Sequence, residues 1–135
     1  MKRKIFGVCL LFLLLGAGVA FSQTPNLFIT NETGYMVYNA YLRWEGTQEW
    51  HGDILDDPSI FSYDNFRFGI LHKGGWIYIP THKNRRCDIM LVDQDGDYYI
   101  IRNFYIGEGM SRANFNPSHF VGKLDRHPPN GYTRY

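Results

Sequence analysis

Cys87-Asp-Ile-Met-Leu-Val-Asp93, Gln94-Asp95-Gly96 and Asp97-Tyr-Tyr-Ile-Ile-Arg-Asn-Phe104 follow one another without a break, and this stretch decides the fold. Two β-favouring runs flank an Asp-Gly turn, the sequence signature of a β-hairpin. Turn length sets which side chains face each other. A two-residue Asp95-Gly96 loop places Ile89 opposite Arg102. A three-residue loop over residues 94–96, with Gly96 taking the positive φ of a G1 bulge, places Ile89 opposite Ile101, Leu91 opposite Tyr99 and Asp88 opposite Arg102. The second register is expected, because it pairs apolar with apolar and acid with base, each pair contributing roughly 0.2–1 kcal/mol. It leaves Asp93 facing Asp97, a like-charge pair at the hairpin tip.

That conflict raises a metal hypothesis. Asp93, Asp95 and Asp97 form a D-x-D-G-D tip, and alternate carboxylates in a tight turn suit a hard cation such as calcium. The spacing is not that of an EF-hand: glycine comes one position early and no bidentate glutamate follows. Three carboxylates also leave calcium short of its usual six to eight oxygens. An ordinary hairpin tip explains the same residues, and calcium is the one cofactor the sequence raises.

Outward from the hairpin the chain reads as short strands. Leu27–Thr30 is one, ended by the turn Asn31-Glu32-Thr33-Gly34, which also spells a glycosylation sequon. Tyr35–Trp44 alternates, with Met36, Tyr38, Ala40, Leu42 and Trp44 expected to face the core and Tyr35, Val37, Asn39, Tyr41 and Arg43 to form a mixed, half-covered face. Phe61–Leu71 is one strand or a bent pair, Trp76–Ile79 another, and Met110–Phe115 a weaker last one. About seven strands with regular turn signals and no convincing helix predict an all-β fold, a single antiparallel β-sandwich. It spans residues 23–116. The Pro-, Gly- and charge-rich residues 117–135 are expected to be a loose tail.

Residues 1–22 have the layout of a cleaved signal peptide: basic Lys2, Arg3 and Lys4, the apolar run Val8–Leu15, then Ala20-Phe21-Ser22 before the expected cut at Gln23. The apolar run is shorter than the roughly 20 residues of a spanning helix, so no stable membrane span is expected after cleavage. An exported protein follows, periplasmic or secreted. Three of the 14 basic residues leave with the signal, so 11 face 13 acidic ones in the 113 that remain. That balance argues against a nucleic-acid partner. Only Cys87 survives cleavage, so the core holds without an internal disulfide, and Cys87 reads as a buried structural thiol.

Residues 45–58 break the strand pattern and hold Trp50, His51, Asp53, Asp56 and Asp57, with one helical turn near Asp53–Leu55. Long loops on β scaffolds carry binding function, so Trp44, Trp50, His51 and Asp53 form a candidate binding loop for a protein or cell-envelope partner. The alternative is that Trp50, Ile54 and Leu55 plug an open end of the core. His51, Asp53 and His82 are a further candidate metal or acid–base set at the other end, with scattered surface histidines as the plainer reading of the same residues. If strands alternate up and down, the hairpin tip lies at the end of Asn31-Glu32 and His72-Lys73, with the acidic loop at the other end beside His82 and Glu108. No nucleophile elbow or phosphate-cradling loop is present.

At Thr33-Gly34-Tyr35 through Trp44, at Trp50–Leu55 and at Asp88–Tyr98, the chain resembles a group of small secreted bacterial β-sandwich domains. That group joins a T-G-Y-x-x-Y strand and a W-x-x-D-x-L loop to a D-[IV]-x-L-V-D-x-D-G-D hairpin. The resemblance covers about residues 31–105 and departs from the pattern at His51 and in the longer segment Ile60–Leu71. It implies the fold and export, and it carries no catalytic residues. The expectation is therefore a non-enzymatic binding or structural module, with a calcium-stabilised domain as the alternative.

Overall fold

The computed structural model describes residues 24–56, 61–63, 66–67, 69–81 and 83–125. The predicted signal peptide, His82 and residues 126–135 lie outside them. Among the described residues there are ten strands: β1 (Asn26–Asn31), β2 (Val37–Trp44), β3 (Phe61–Tyr63), β4 (Phe66–Arg67), β5 (Ile70–Leu71), β6 (Trp76–Pro80), β7 (Arg85–Asp93), β8 (Asp97–Ile106), β9 (Met110–Phe115) and β10 (Phe120–Lys123). They form a four-stranded sheet, β3-β6-β1-β9, and a six-stranded sheet, β10-β8-β7-β2-β5-β4. Leu27, Ile29, Ile77, Ala113 and Phe115 of the first share one buried cluster with Val37, Leu42, Ile89, Leu91 and Tyr99 of the second. This is the sandwich core.

The hairpin takes the expected register, with Ile89 opposite Ile101 and Leu91 opposite Tyr99, and Gly96 sits at φ +81°. Further from the tip a bulge intervenes between Cys87 and Ile89. Asn103 there adopts φ +53°, and its N–H donates to Asp88 Oδ1 at 2.8 Å. Asp88 therefore does not take Arg102 as its direct partner. It pairs with Arg43, opposite it on β2, at 2.7 Å.

Four other expectations change. The strands number ten rather than about seven, because the Phe61–Leu71 segment divides between the sheets: β3 pairs with β6, whereas β4 and β5 extend the sheet of β2. One pairing is parallel: β9 crosses from the sheet of β8 to the other sheet and runs beside β1 in the same direction. A bulge between Val37 and Asn39 shifts the parity of β2. Val37 is thereby fully buried while Tyr38 is 43% exposed; beyond the bulge, Ala40 and Leu42 face the core as expected. Finally, residues 117–123, expected in the loose tail, are part of the fold. Asn116 caps a 3-10 turn over Pro117–His119, and β10 then pairs with the first residues of β8.

Candidate binding groove at the hairpin end

The expected binding loop is folded back onto the sandwich. β5 pairs with β2 only at Val37, which leaves the rest of that β2 edge for another partner. Residues 51–55 supply it. The His51 N–H donates to Leu42 O at 2.8 Å. The Asp53 carboxylate accepts from Ala40 N at 2.9 Å, Asn39 Nδ2 at 2.8 Å and Leu55 N at 3.1 Å. Ile54 and Leu55 join the main core. Trp50 is only 5% exposed and packs with Tyr41, Met90 and Val92 on the outer face of the six-stranded sheet, under the Arg43 guanidinium at 4.4 Å. Arg85 covers Trp44 at 3.6 Å. The four residues do not form one surface: Trp44 packs against the main core and meets the His51 ring at 6.3 Å, Asp53 is held by β2, and Trp50 lies on the outer face of the sheet. Ile54 and Leu55 fill the core as the plug reading expects, whereas Trp50 does not join it.

Burial raises the Asp53 pKa above its ordinary value against the three hydrogen bonds that favour its anion. Burial, helped by Arg85, lowers that of His51. The Asp53 oxygens are engaged by β2 and by the loop's own turn. The loop starts at the far end of the sandwich, as strand parity requires, but returns along β2, so Asp53 lies beside Ala40.

At the hairpin tip, Asp93 is buried and turned into its own turn. Its Oδ1 accepts from Asp95 N at 2.9 Å and Asp97 N at 3.0 Å, and Tyr99 Oη donates to its Oδ2 at 3.3 Å. The like-charge conflict is answered by backbone donors, which stabilise a buried carboxylate as a cation would. Among the described residues, no group of three or more His, Cys, Asp and Glu side chains is placed to hold a metal ion.

Several turns converge on this tip, as strand parity predicts. Gln94 N donates to Met36 O at 2.9 Å. Asn31, fully buried, donates through Nδ2 to the carbonyls of Tyr35, Leu71 and His72 and accepts through Oδ1 from Thr33. Its amide is thus a tie between two turns, and Asn31 and Thr33 of the sequon are both buried.

Between these turns lies a groove of about 550 Å³. Thr33, Gly34 and Tyr35 of the β1–β2 turn form one side, Pro117 and Phe120 the other, and Asp97 and Tyr99 the floor. Gly34 sits at φ +88°, a conformation that favours glycine. Tyr35 and Phe120 stand 46% and 52% exposed. Phe120 meets the buried Tyr99 ring edge-on at 5.9 Å. Burial first, then the Asp93 charge and hydrogen bond, push the Tyr99 pKa up to about 12, so its hydroxyl remains a donor.

The chain matches no known family model, no curated protein and no solved structure. The resemblance of its hairpin and tryptophan loop to secreted β-sandwich domains therefore rests on those residues alone. Sequence reasoning missed the groove because its walls are distant in the chain. Tyr35 reads as one residue of an alternating strand, and Phe120 lies in the stretch read as tail. Asn116-Pro117-Ser118, a capping signature, was the available signal that the ordered chain continues.

A smaller pocket of about 160 Å³ lies at the other end, lined by Arg43, Trp44, Arg86, Cys87 and Asp88 among others. Its cations are engaged, Arg43 by Asp88 and Arg86 by Asn103 O and the Tyr105 ring. Burial pushes the Cys87 thiol up to about 12, which makes it a poor nucleophile.

Proposed function

We propose that this chain is an exported, non-enzymatic β-sandwich module that docks a protein or cell-envelope partner in the groove at its hairpin end. The observation that carries the reading is the pairing of half-exposed Tyr35 and Phe120 across a concave surface floored by Tyr99. Concave, aromatic-lined surfaces with a few fixed polar groups are the usual form of a binding site. Export is supported by the basic start and apolar run of residues 1–22. The non-enzymatic reading is supported by the engagement of Asp53 with backbone and Asn39. Against the calcium alternative stand the N–H and O–H donors already on the two Asp93 oxygens.

The test is an NMR titration of the exported chain with two kinds of probe, proline-containing decapeptides and peptidoglycan fragments. A binding probe should shift Tyr35, Tyr99 and Phe120 while leaving the Trp50 indole unmoved. Tyr35→Ala and Phe120→Ala should each weaken binding about tenfold or more, the scale of an aromatic anchor. Shifts centred on Trp50, or an affinity indifferent to both substitutions, would overturn the reading.

A further inference from the structure

The groove combines aromatic walls with an acidic surround. Asp97 lines the groove, and Glu32, Asp95 and Asp125 lie on the adjoining turns with the buried Asp93, against Lys73, Lys123, His72 and His119. A ligand matched to it is extended, basic and able to lie against rings. Proline-rich segments dock in aromatic-lined grooves because their backbone is already extended and loses little entropy on binding. Arginine adds stacking on ring faces. The fold already uses that contact, with Arg43, Arg85, Arg86 and Arg112 each over an aromatic ring.

The chain itself carries such a segment, and the described structure ends beside the groove. β10 runs toward the hairpin tip, with Phe120 opposite Tyr99 and Lys123 opposite Asp97. Leu124 N then donates to Gly96 O at 3.0 Å, next to the Asp97 that floors the groove. Residues 126–135 read Arg-His-Pro-Pro-Asn-Gly-Tyr-Thr-Arg-Tyr, with two arginines, one histidine, a Pro128-Pro129 pair and no acid. Ten residues reach up to about 33–36 Å, so the span from Asp125 is ample. A short tether also gives a ligand in the same molecule an effective concentration in the millimolar range.

We infer that the groove at the hairpin end is the receptor for this chain's own Pro128-Pro129 segment, docked within the same molecule, with the arginines of residues 126–135 meeting its acidic surround and its rings. The inference rests on the groove being a binding site, and it names the occupant.

The experiment uses the exported chain with a nitroxide on Thr133→Cys; buried Cys87, with its raised thiol pKa, is not labelled in the folded state. Paramagnetic broadening is expected at Tyr35, Tyr99 and Phe120. It should fall at least severalfold in a Pro128→Gly, Pro129→Gly variant and also as salt is raised. Broadening that misses these residues would overturn the inference. So would broadening seen between molecules, in a mixture of nitroxide-labelled unenriched chain with isotope-labelled chain, but not within one. If the tail fails these tests while other probes still shift Tyr35 and Phe120, only the assigned occupant falls and the groove stands.

Discussion

The Trp50 segment and the Tyr35–Phe120 groove have similar composition and opposite fates. Both combine large aromatics with aspartate. Trp50 is buried because Asp53 and the His51 N–H satisfy a β2 edge that β5 leaves open, and the fold-back lays the indole on Met90 and Val92. Asp93 instead satisfies its own turn, and among the described residues Tyr35 and Phe120 are left half-exposed. Exposure of an aromatic here follows from where the nearest backbone donors are unpaired, not from the aromatic.

The largest expected effect separates the two regions by stability. Trp50→Ala should cost about 3–5 kcal/mol, as large-to-small changes in a packed site do. Phe120→Ala should cost no more than about 1 kcal/mol, as at a half-exposed position. Urea unfolding of both variants measures the contrast, and equal losses would erase it.

The clamp itself comes next. Asp53→Ala strands the N–H groups of Ala40 and Leu55, and should cost about 1–3 kcal/mol, the penalty for buried donors without acceptors. Hydrogen exchange should rise at residues 50–55 while Tyr35 and Phe120 keep their chemical shifts. Disturbance at the groove instead would show that the two regions are one unit.

The smallest effect is a pair of opposite pH dependences. Burial leaves the Asp53 pKa above 3.8 in the fold. The folded state therefore holds that proton more tightly than the unfolded chain, and stability from Asp53 declines as pH rises from 3.8 through the raised value. Burial also opposes ionisation at Asp88, but the Asn103 N–H and Arg43 outweigh it and hold its pKa below 3.8. Its contribution is present above that pH and is lost as pH falls through the depressed value. In unfolding series between pH 2 and 7, Asp88→Asn should flatten the acid-side loss and Asp53→Asn the opposing slope. The same sign for both variants would contradict the geometry.

The hairpin was legible in the sequence because a hairpin is local: the Asp-Gly turn and the apolar pairing of Ile89 with Ile101 and Leu91 with Tyr99 select one register. The converging turns at the tip were legible for a related reason, since counting strands fixes their ends. Met36–Tyr38 was misread because a bulge adds one residue and reverses the parity on which alternation depends. Asp88 was assigned to Arg102 for the same reason: the bulge at Asn103 turns a backbone N–H toward it, and Arg43 faces it from a strand that the hairpin sequence does not contain.

What the sequence by itself determined is therefore the β class, the central hairpin and its register, and which end of the molecule its tip shares with Asn31 and His72. These depend on patterns of period two and on turn residues a few positions apart. What only the tertiary structure decided is which aromatics face solvent, where β9 and β10 pair, and that Tyr35, Tyr99 and Phe120 enclose a groove. Those outcomes depend on long-range hydrogen bonds and strand edges that exist only once both sheets have formed.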